Sequence, residues 1–281
     1  MDTPITAMNG VTKNNVKDLM SLDGKTFAIT GGARGLGITL AGAVLEAGGN
    51  VACLDILPAP VESEWVHVAS LAKKSGLLAV YFQCDITDED AVSDVLDKIV
   101  VLADKQGAPF AGSIACAGIQ QKYPALAYPI DMFEKMMKVN VTGTFITAKQ
   151  TARQLVKAGR PGSIMIVASM SGQIANRGLD CTAYNSSKAA LQQMCRSVAQ
   201  EWGQYGIRVN TLSPGYIRTA MTDMLLEADP ALNETWMRGA LLGRLGVPDD
   251  FKAVSVFLLS EASSFVTGAD FRVDGGHCAS A

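Results

Sequence analysis

Residues 25–37 read Lys-Thr-Phe-Ala-Ile-Thr-Gly-Gly-Ala-Arg-Gly-Leu-Gly, and the fold is read outward from them. The run 25–30 is apolar with no polar alternation, which predicts a strand buried on both faces of a parallel sheet. The glycines then predict a tight turn into a helix of small residues over 38–48. Gly31 permits the turn, Gly35 lets the backbone approach a pyrophosphate, and Gly37 lets helix and strand pack closely. The helix start offers free N–H groups to the anion. The spacing differs from G-x-G-x-x-G, and a glycine-rich loop of this kind can be no more than a turn.

The same alternation recurs along the chain. Residues 50–55 (NVACLD), 77–85 (LLAVYFQCD), 110–118 (FAGSIACAG), 163–169 (SIMIVAS), 207–213 (IRVNTLS) and 270–276 (DFRVDGG) read as strands separated by helical stretches. That order predicts an α/β fold: a single-domain, Rossmann-type, doubly wound parallel sheet of about seven strands with helices on both faces. Residues 1–21 read as a loosely ordered extension and 22–281 as the domain. Residues 119–131, which contain prolines, and the long insertion 216–247 leave from the carboxyl ends of strands, where ligands bind in such sheets. They are the expected walls of a substrate pocket.

Composition narrows the function. Of 281 residues 48% are hydrophobic and 18% charged, enough to bury a large core. A net charge of -3, with no Lys/Arg cluster, argues against a nucleic-acid partner. No apolar run reaches the roughly 20 residues that span a bilayer, and the N-terminal stretch has no signal-peptide core. Six cysteines without a C-x-x-C pair fit a reducing cytoplasm, and two histidines make a metal site improbable.

Asp55 ends the second strand 18 residues after Gly37, where a carboxylate accepts hydrogen bonds from adenosine ribose hydroxyls and repels a 2′-phosphate. Arg34, in the glycine loop, could instead pair with that phosphate. The balance favours NAD(H) and leaves NADP(H) open. A solvated Arg34 and a helix-capping Asp55 are the plainer readings.

Tyr184 and Lys188 stand at i, i+4 in Tyr-Asn-Ser-Ser-Lys, on one face of a helix. A phenol titrates near 10. An ammonium about 4 Å away at an effective dielectric near 20 contributes about 4 kcal/mol, about three pKa units before desolvation. The expectation is a phenol acidic enough for general acid/base work. Ser171 precedes Tyr184 by 13 residues, just past a strand end, where its hydroxyl could share a substrate oxygen with the phenol. Asn140 lies in an otherwise apolar helical segment; alone it reads as structural more readily than catalytic.

Together these motifs resemble the short-chain dehydrogenase/reductase family over residues 22–277. The match comprises T-G-x-x-x-G-x-G at 30–37, the tetrad Asn140, Ser171, Tyr184 and Lys188, Pro214-Gly215, and Asp274-Gly275-Gly276. The resemblance implies an NAD(P)(H)-dependent oxidoreductase interconverting a secondary alcohol and a ketone. Tyr184 would exchange the proton, Lys188 would bind the nicotinamide ribose and depress the phenol pKa, Ser171 would orient the substrate, and Asn140 would hold a relay water. The implied cofactor contacts are Gly31, Ala33, Arg34, Gly35, Leu36 and Gly37 in the loop, with Asp55, Asp85, Ile86, Ala117 and Gly118 at the next strand ends. Asn140, Tyr184, Lys188, Pro214 and Gly215 follow, and Ile217 and Thr219 match positions that contact the carboxamide. Asp85 reads equally well as the cap of the helix after it. Where the family usually has N-N-A-G, this chain has Ala115-Cys116-Ala117-Gly118. Cys116 thus replaces an Asn that ties the central strands together, and it reads as a packed cysteine with no basic neighbour to activate it.

The run 24–37 and the sequence SMSGQIANRG at 169–178 are similar to the branch of ketose reductases and polyol dehydrogenases; related members reduce ketones in secondary-metabolite pathways. Met221, Met224, Leu225, Leu226, Trp236, Met237, Leu241 and Leu242 make the insertion apolar. It reads either as a lid over the substrate or as packing against the sheet or a neighbouring subunit. Gln120, Gln121, Gln173 and Asn176 are expected near the pocket. The resemblance also implies a homotetramer, or a homodimer, built from helices around 131–157 and 182–203 and from the last strand. A cofactor-binding sensor without activity is expected to have lost a tetrad member, and an isomerase or dehydratase to carry an appended substrate domain; neither feature is found.

Overall fold

The computed structural model describes residues 15–218, 222, 226 and 230–280. The expectations for Thr219, Met221, Met224, Leu225 and Ala281 lie outside the described residues. Seven strands, β1 (Thr26–Thr30), β2 (Asn50–Asp55), β3 (Ala79–Gln83), β4 (Phe110–Ala115), β5 (Gly162–Val167), β6 (Ile207–Pro214) and β7 (Asp270–Val273), form one sheet in the order 3-2-1-4-5-6-7. Every pairing is parallel. The doubly wound reading is borne out, and the strand order reverses between β1 and β4, where such sheets open a ligand crevice.

The α-helices whose bounds lie in the described residues are α1 (Val16–Leu19), α2 (Gly35–Glu46), α3 (Glu62–Ser75), α4 (Glu89–Lys105), α5 (Ile130–Met137), α6 (Thr144–Lys157), α7 (Thr182–Trp202), α8 (Pro230–Gly239) and α9 (Lys252–Leu259). All of β1 is buried, as its unbroken apolar run requires. Its side chains alternate between two cores. Ala28 joins the cluster under α4, α6 and α7, with Leu96, Leu155 and Leu191. Phe27 and Ile29 join the opposite one under α2, α3 and α9, with Val44, Val68 and Leu258. This period of two is the sheet's own side-chain alternation, and it covers both faces with helices.

Order begins earlier than the sequence suggests. Within the stretch read as an extension, α1 is capped by Asn15, whose side chain accepts from Lys17 N–H at 3.0 Å, and just after it Leu22, the first residue of the domain, is fully buried.

Candidate active site

The glycine loop follows β1 directly. Gly31 has φ +70°, and a Cβ there would lie 2.8 Å from Ala117 N; a Cβ at Gly37 would lie 2.1 Å from Gly31 O. Both positions therefore require glycine, the first to meet the β4 exit and the second to let α2 pack onto the turn. A Cβ at Gly35, the first residue of α2, would meet nothing within 4 Å, so the loop presents an open face there, and Leu36 follows in the helix. Thr30 Oγ1 accepts from Cys116 N–H at 3.2 Å and Ala117 N–H at 3.4 Å. The threonine thus ties β1 to β4 where the family's asparagine is missing.

Asp55 faces this loop. Its Oδ2 accepts from Ala33 N–H at 3.3 Å and its Oδ1 from Leu57 N–H at 3.2 Å, so it caps no helix. Arg34 is exposed beside it. Asp85 is also exposed and accepts from Thr87 N–H at 2.8 Å. The cap of α4 is Asp88, which accepts from Ala91 N–H at 3.0 Å, so the capping alternative for Asp85 does not hold. Ile86 is buried and turned toward Gly143, where a Cβ would come within 2.6 Å of its side chain. Pro214 ends β6, and Gly215 admits the close approach of Asp274, whose Cα a Cβ would meet at 2.7 Å. Ile217 packs at the edge of the second core.

Asn140 is wholly buried in a π-helical turn, Lys138–Gly143, between α5 and α6. Such turns recur at functional sites. Its amide accepts from Ile119 N–H at 2.8 Å, donates to Ile119 O at 2.9 Å, and donates to Ser187 Oγ at 3.0 Å. Ser187 in turn donates to Tyr184 O at 2.7 Å. One side chain therefore joins the β4 exit, the α5–α6 junction and α7.

Tyr184 and Lys188 share the first turns of α7. Lys188 is buried, donates to Val167 O at 2.9 Å, and lies 5.6 Å from the centroid of the Tyr184 ring. A Cβ at Gly118 would stand 3.2 Å from Asn140 Oδ1 and 3.7 Å from Lys188 Nζ, so a group seated against Gly118 reaches both. Contrary to expectation, the phenol is not acidified: burial pushes Tyr184 up to about 12, and a hydrogen bond with Ser169 only partly offsets this. Burial likewise lowers Lys188 to about 8. The desolvation of both groups outweighs the attraction that their spacing promised.

The serine at the phenol is Ser169. Ser171 lies one turn on, in the 3-10 turn Met170–Gly172, and donates its N–H to Ser169 Oγ at 3.1 Å. Gln192 donates to Ser169 O at 3.1 Å and to Ser213 Oγ at 3.0 Å, fixing the strand end from α7. Cys116 does have a basic neighbour: Lys188 draws its thiol down, but burial dominates and holds it at about 11, leaving a packed, unactivated cysteine. These groups converge at the carboxyl ends of β4 and β5, beside the strand-order reversal.

A family model described as enoyl-(acyl carrier protein) reductase matches residues 31–277. A short-chain dehydrogenase/reductase of Aspergillus versicolor, notP′, is 46% identical over 94% of this chain and 90% of its own length. The chain belongs to the short-chain dehydrogenase/reductase family. A sorbose reductase of Schizosaccharomyces pombe is 36% identical, covering 92% of this chain and 98% of the relative. Among solved structures, the NADPH-dependent 3-quinuclidinone reductase of Rhodotorula rubra superposes with a TM-score of 0.84 at 36% identity, over 98% of this chain and 99% of that one.

The segments expected to wall the substrate pocket differ in character. Tyr216 stacks on Trp236 with centroids 3.9 Å apart and meets His277 edge-on at 5.0 Å; Leu226, Leu232 and Leu245 complete that apolar cluster. Leu241 and Leu242 point to solvent. Asn176 donates to the Tyr216 hydroxyl at 2.9 Å, while Gln121 Oε1 is buried without a hydrogen-bond partner. Gln173 is taken up elsewhere, by Asp270 and by Arg272 at 2.8 Å on an exposed edge. Gln120 is exposed to solvent.

Proposed function

We propose that this enzyme interconverts a secondary alcohol and a ketone with NAD(H) as the preferred dinucleotide, and that residues 22–281 form its one catalytic domain. The observation that carries the reading is the convergence of the Tyr184 phenol, the Ser169 hydroxyl and the buried Lys188 ammonium beside Gly118. The loop residues fit a dinucleotide: Gly35 leaves an open face at the start of α2, and Asp55 stands against Ala33 N–H. Bound nicotinamide supplies or accepts the hydride. Tyr184, held protonated by burial, donates its proton to the carbonyl oxygen in reduction and recovers it in oxidation. Ser169 holds that same oxygen, and Lys188 sets positive charge behind the phenol while remaining free to meet a ribose hydroxyl. Asn140 keeps the β4 exit and α7 in register.

A polyol or ketose is the favoured substrate, supported by the likeness to a sorbose reductase and by the polar wall of Gln121 and Asn176. The apolar cluster of Tyr216, Trp236, Leu232 and Leu245 supports a bulkier ketone as the second reading. A homotetramer or homodimer and a cytoplasmic location go with this proposal; no helix among the described residues is long and apolar enough to cross a membrane. The test is to titrate NADH and NADPH against the purified protein and then follow cofactor oxidation with ketoses and bulky ketones. Oxidation of NADH by a ketose is the expected result; failure of both classes of ketone would overturn the reading.

A further inference from the structure

The stretch from the end of β2 to the first turn of α3 is fastened onto the glycine loop at three points. Val61 N–H donates to Ala33 O at 2.9 Å, Ala33 N–H donates to Asp55 Oδ2 at 3.3 Å, and Gly35 N–H donates to Glu64 Oε2 at 2.8 Å. Ala33 and Gly35 flank Arg34, so the amides that hold the two carboxylates lie within about 7 Å of one another along the chain. Residues 56–65 (ILPAPVESEW) contain no Lys or Arg. The amides on either side of Arg34, the loop's one cation, thus each hold a carboxylate, and the facing segment carries no positive charge. Glu62, in the same first turn of α3, is exposed, whereas Glu64 is partly buried.

We propose that Glu64 is a second determinant of dinucleotide choice, acting with Asp55: its carboxylate, seated on the Gly35 amide, opposes a phosphate on the adenosine ribose. The inference rests on the NAD(H) preference given above. A 2′-phosphate paired with Arg34 would sit on the loop whose flanking amides hold both carboxylates, and repulsion over distances comparable with the Debye length, about 8 Å at physiological salt, is only partly screened. Glu64 also takes up one of the helix-start N–H groups that would otherwise favour an anion. A ribose hydroxyl brings no charge and is unaffected by either term.

The experiment measures the affinity of NADH and NADPH for the full chain by nicotinamide fluorescence, in wild type, Glu64→Gln, Glu62→Gln and Asp55→Asn. Glutamine keeps an acceptor for Gly35 N–H, so the fold is retained, and thermal unfolding checks this. Glu64→Gln is expected to tighten NADPH about tenfold while moving NADH less than about twofold, with the gain shrinking as salt is raised. Glu62→Gln should move neither. A wild type that prefers NADH, together with an unchanged NADPH/NADH ratio in Glu64→Gln, would overturn the role of Glu64 alone. So would an equal weakening of both dinucleotides, the mark of a carboxylate that only supports the loop. A wild type that binds NADPH as tightly as NADH would overturn the NAD(H) reading and this inference with it.

Discussion

Lys188 Nζ stands 5.6 Å from the centre of the Tyr184 ring and spends a hydrogen bond on Val167 O, so the pair is held close without the ammonium being committed to the phenol. Burial dominates both groups. At neutral pH Tyr184 therefore keeps its proton, the state needed to protonate a carbonyl oxygen. Tyr184→Phe is expected to lower kcat by about 10²–10⁴-fold, the usual contribution of a positioned acid or base, with dinucleotide affinity unchanged. Steady-state rates alongside a fluorescence titration check this; substantial residual turnover would count against the assignment.

The buried lysine also makes stability depend on pH in a definite direction. Its folded pKa, about 8, lies below the ordinary 10.5, so between those values the unfolded chain binds the extra proton and stability rises with pH, by at most about 1.4 kcal/mol per unit. The contribution is present above the unfolded value and is lost as pH falls through about 8. Tyr184 acts oppositely only above pH 10, where its folded pKa of about 12 exceeds the ordinary 10.0. Denaturant unfolding of wild type and Lys188→Met between pH 7.5 and pH 10 should show a shallower rise in the variant; parallel curves would refute the burial of a titrating ammonium.

Ser169 and Ser171 offer a clean contrast because both are buried and only two residues apart. If Ser169 holds the reacting oxygen, Ser169→Ala should cost about 10²-fold or more in kcat, as loss of one preorganised donor does elsewhere. Ser171→Ala, whose backbone N–H makes the contact recorded here, should cost less than about threefold. The reverse order of effects would return the role to Ser171.

How far these features were legible differs by physical cause. The sheet was, because β1 and its neighbours are apolar on both faces and the alternation of elements leaves few topologies. Tyr184 and Lys188 were, because i, i+4 on a helix fixes a shared face. The serine was not: which of Ser169 and Ser171 meets the phenol depends on the 3-10 turn Met170–Gly172 and on the length of the loop before α7, neither of which has a local pattern. The π-helical turn around Asn140 escaped a reading based on 3.6-residue periodicity. Desolvation escaped as well, because spacing gives separation along a helix but not the dielectric around it. Nothing in the sequence singles out Glu64, because its contact with Gly35 N–H is made between residues 29 apart in the chain.

Gly37 tests the packing of the loop without touching chemistry. A methyl group there would fall 2.1 Å from Gly31 O, a backbone atom that can move only with β1. Gly37→Ala is expected to destabilise the fold by about 1–3 kcal/mol, the range for overpacking, and to weaken both dinucleotides together, unlike the selective shift expected at Glu64. Thermal unfolding and the same titrations decide it; wild-type stability would mean that the turn relaxes freely.

His277 decides whether the apolar cluster is a lid. Its imidazole lies so close under α8 that a Cβ at Gly239 would be 2.2 Å from it, and it meets the edge of Tyr216, which stacks on Trp236. Ser280 Oγ donates to Gly239 O at 2.7 Å, so the C-terminal turn fastens the helix twice. Burial depresses the imidazole's pKa, which keeps it neutral in its apolar surroundings. Removing the ring should loosen α8 without touching Tyr184, Ser169 or the glycine loop. His277→Ala is therefore expected to raise KM for the ketone by about tenfold, with kcat and dinucleotide affinity nearly constant, the pattern of lost uniform binding. Unchanged KM for every substrate turned over would place this cluster in plain packing against the sheet.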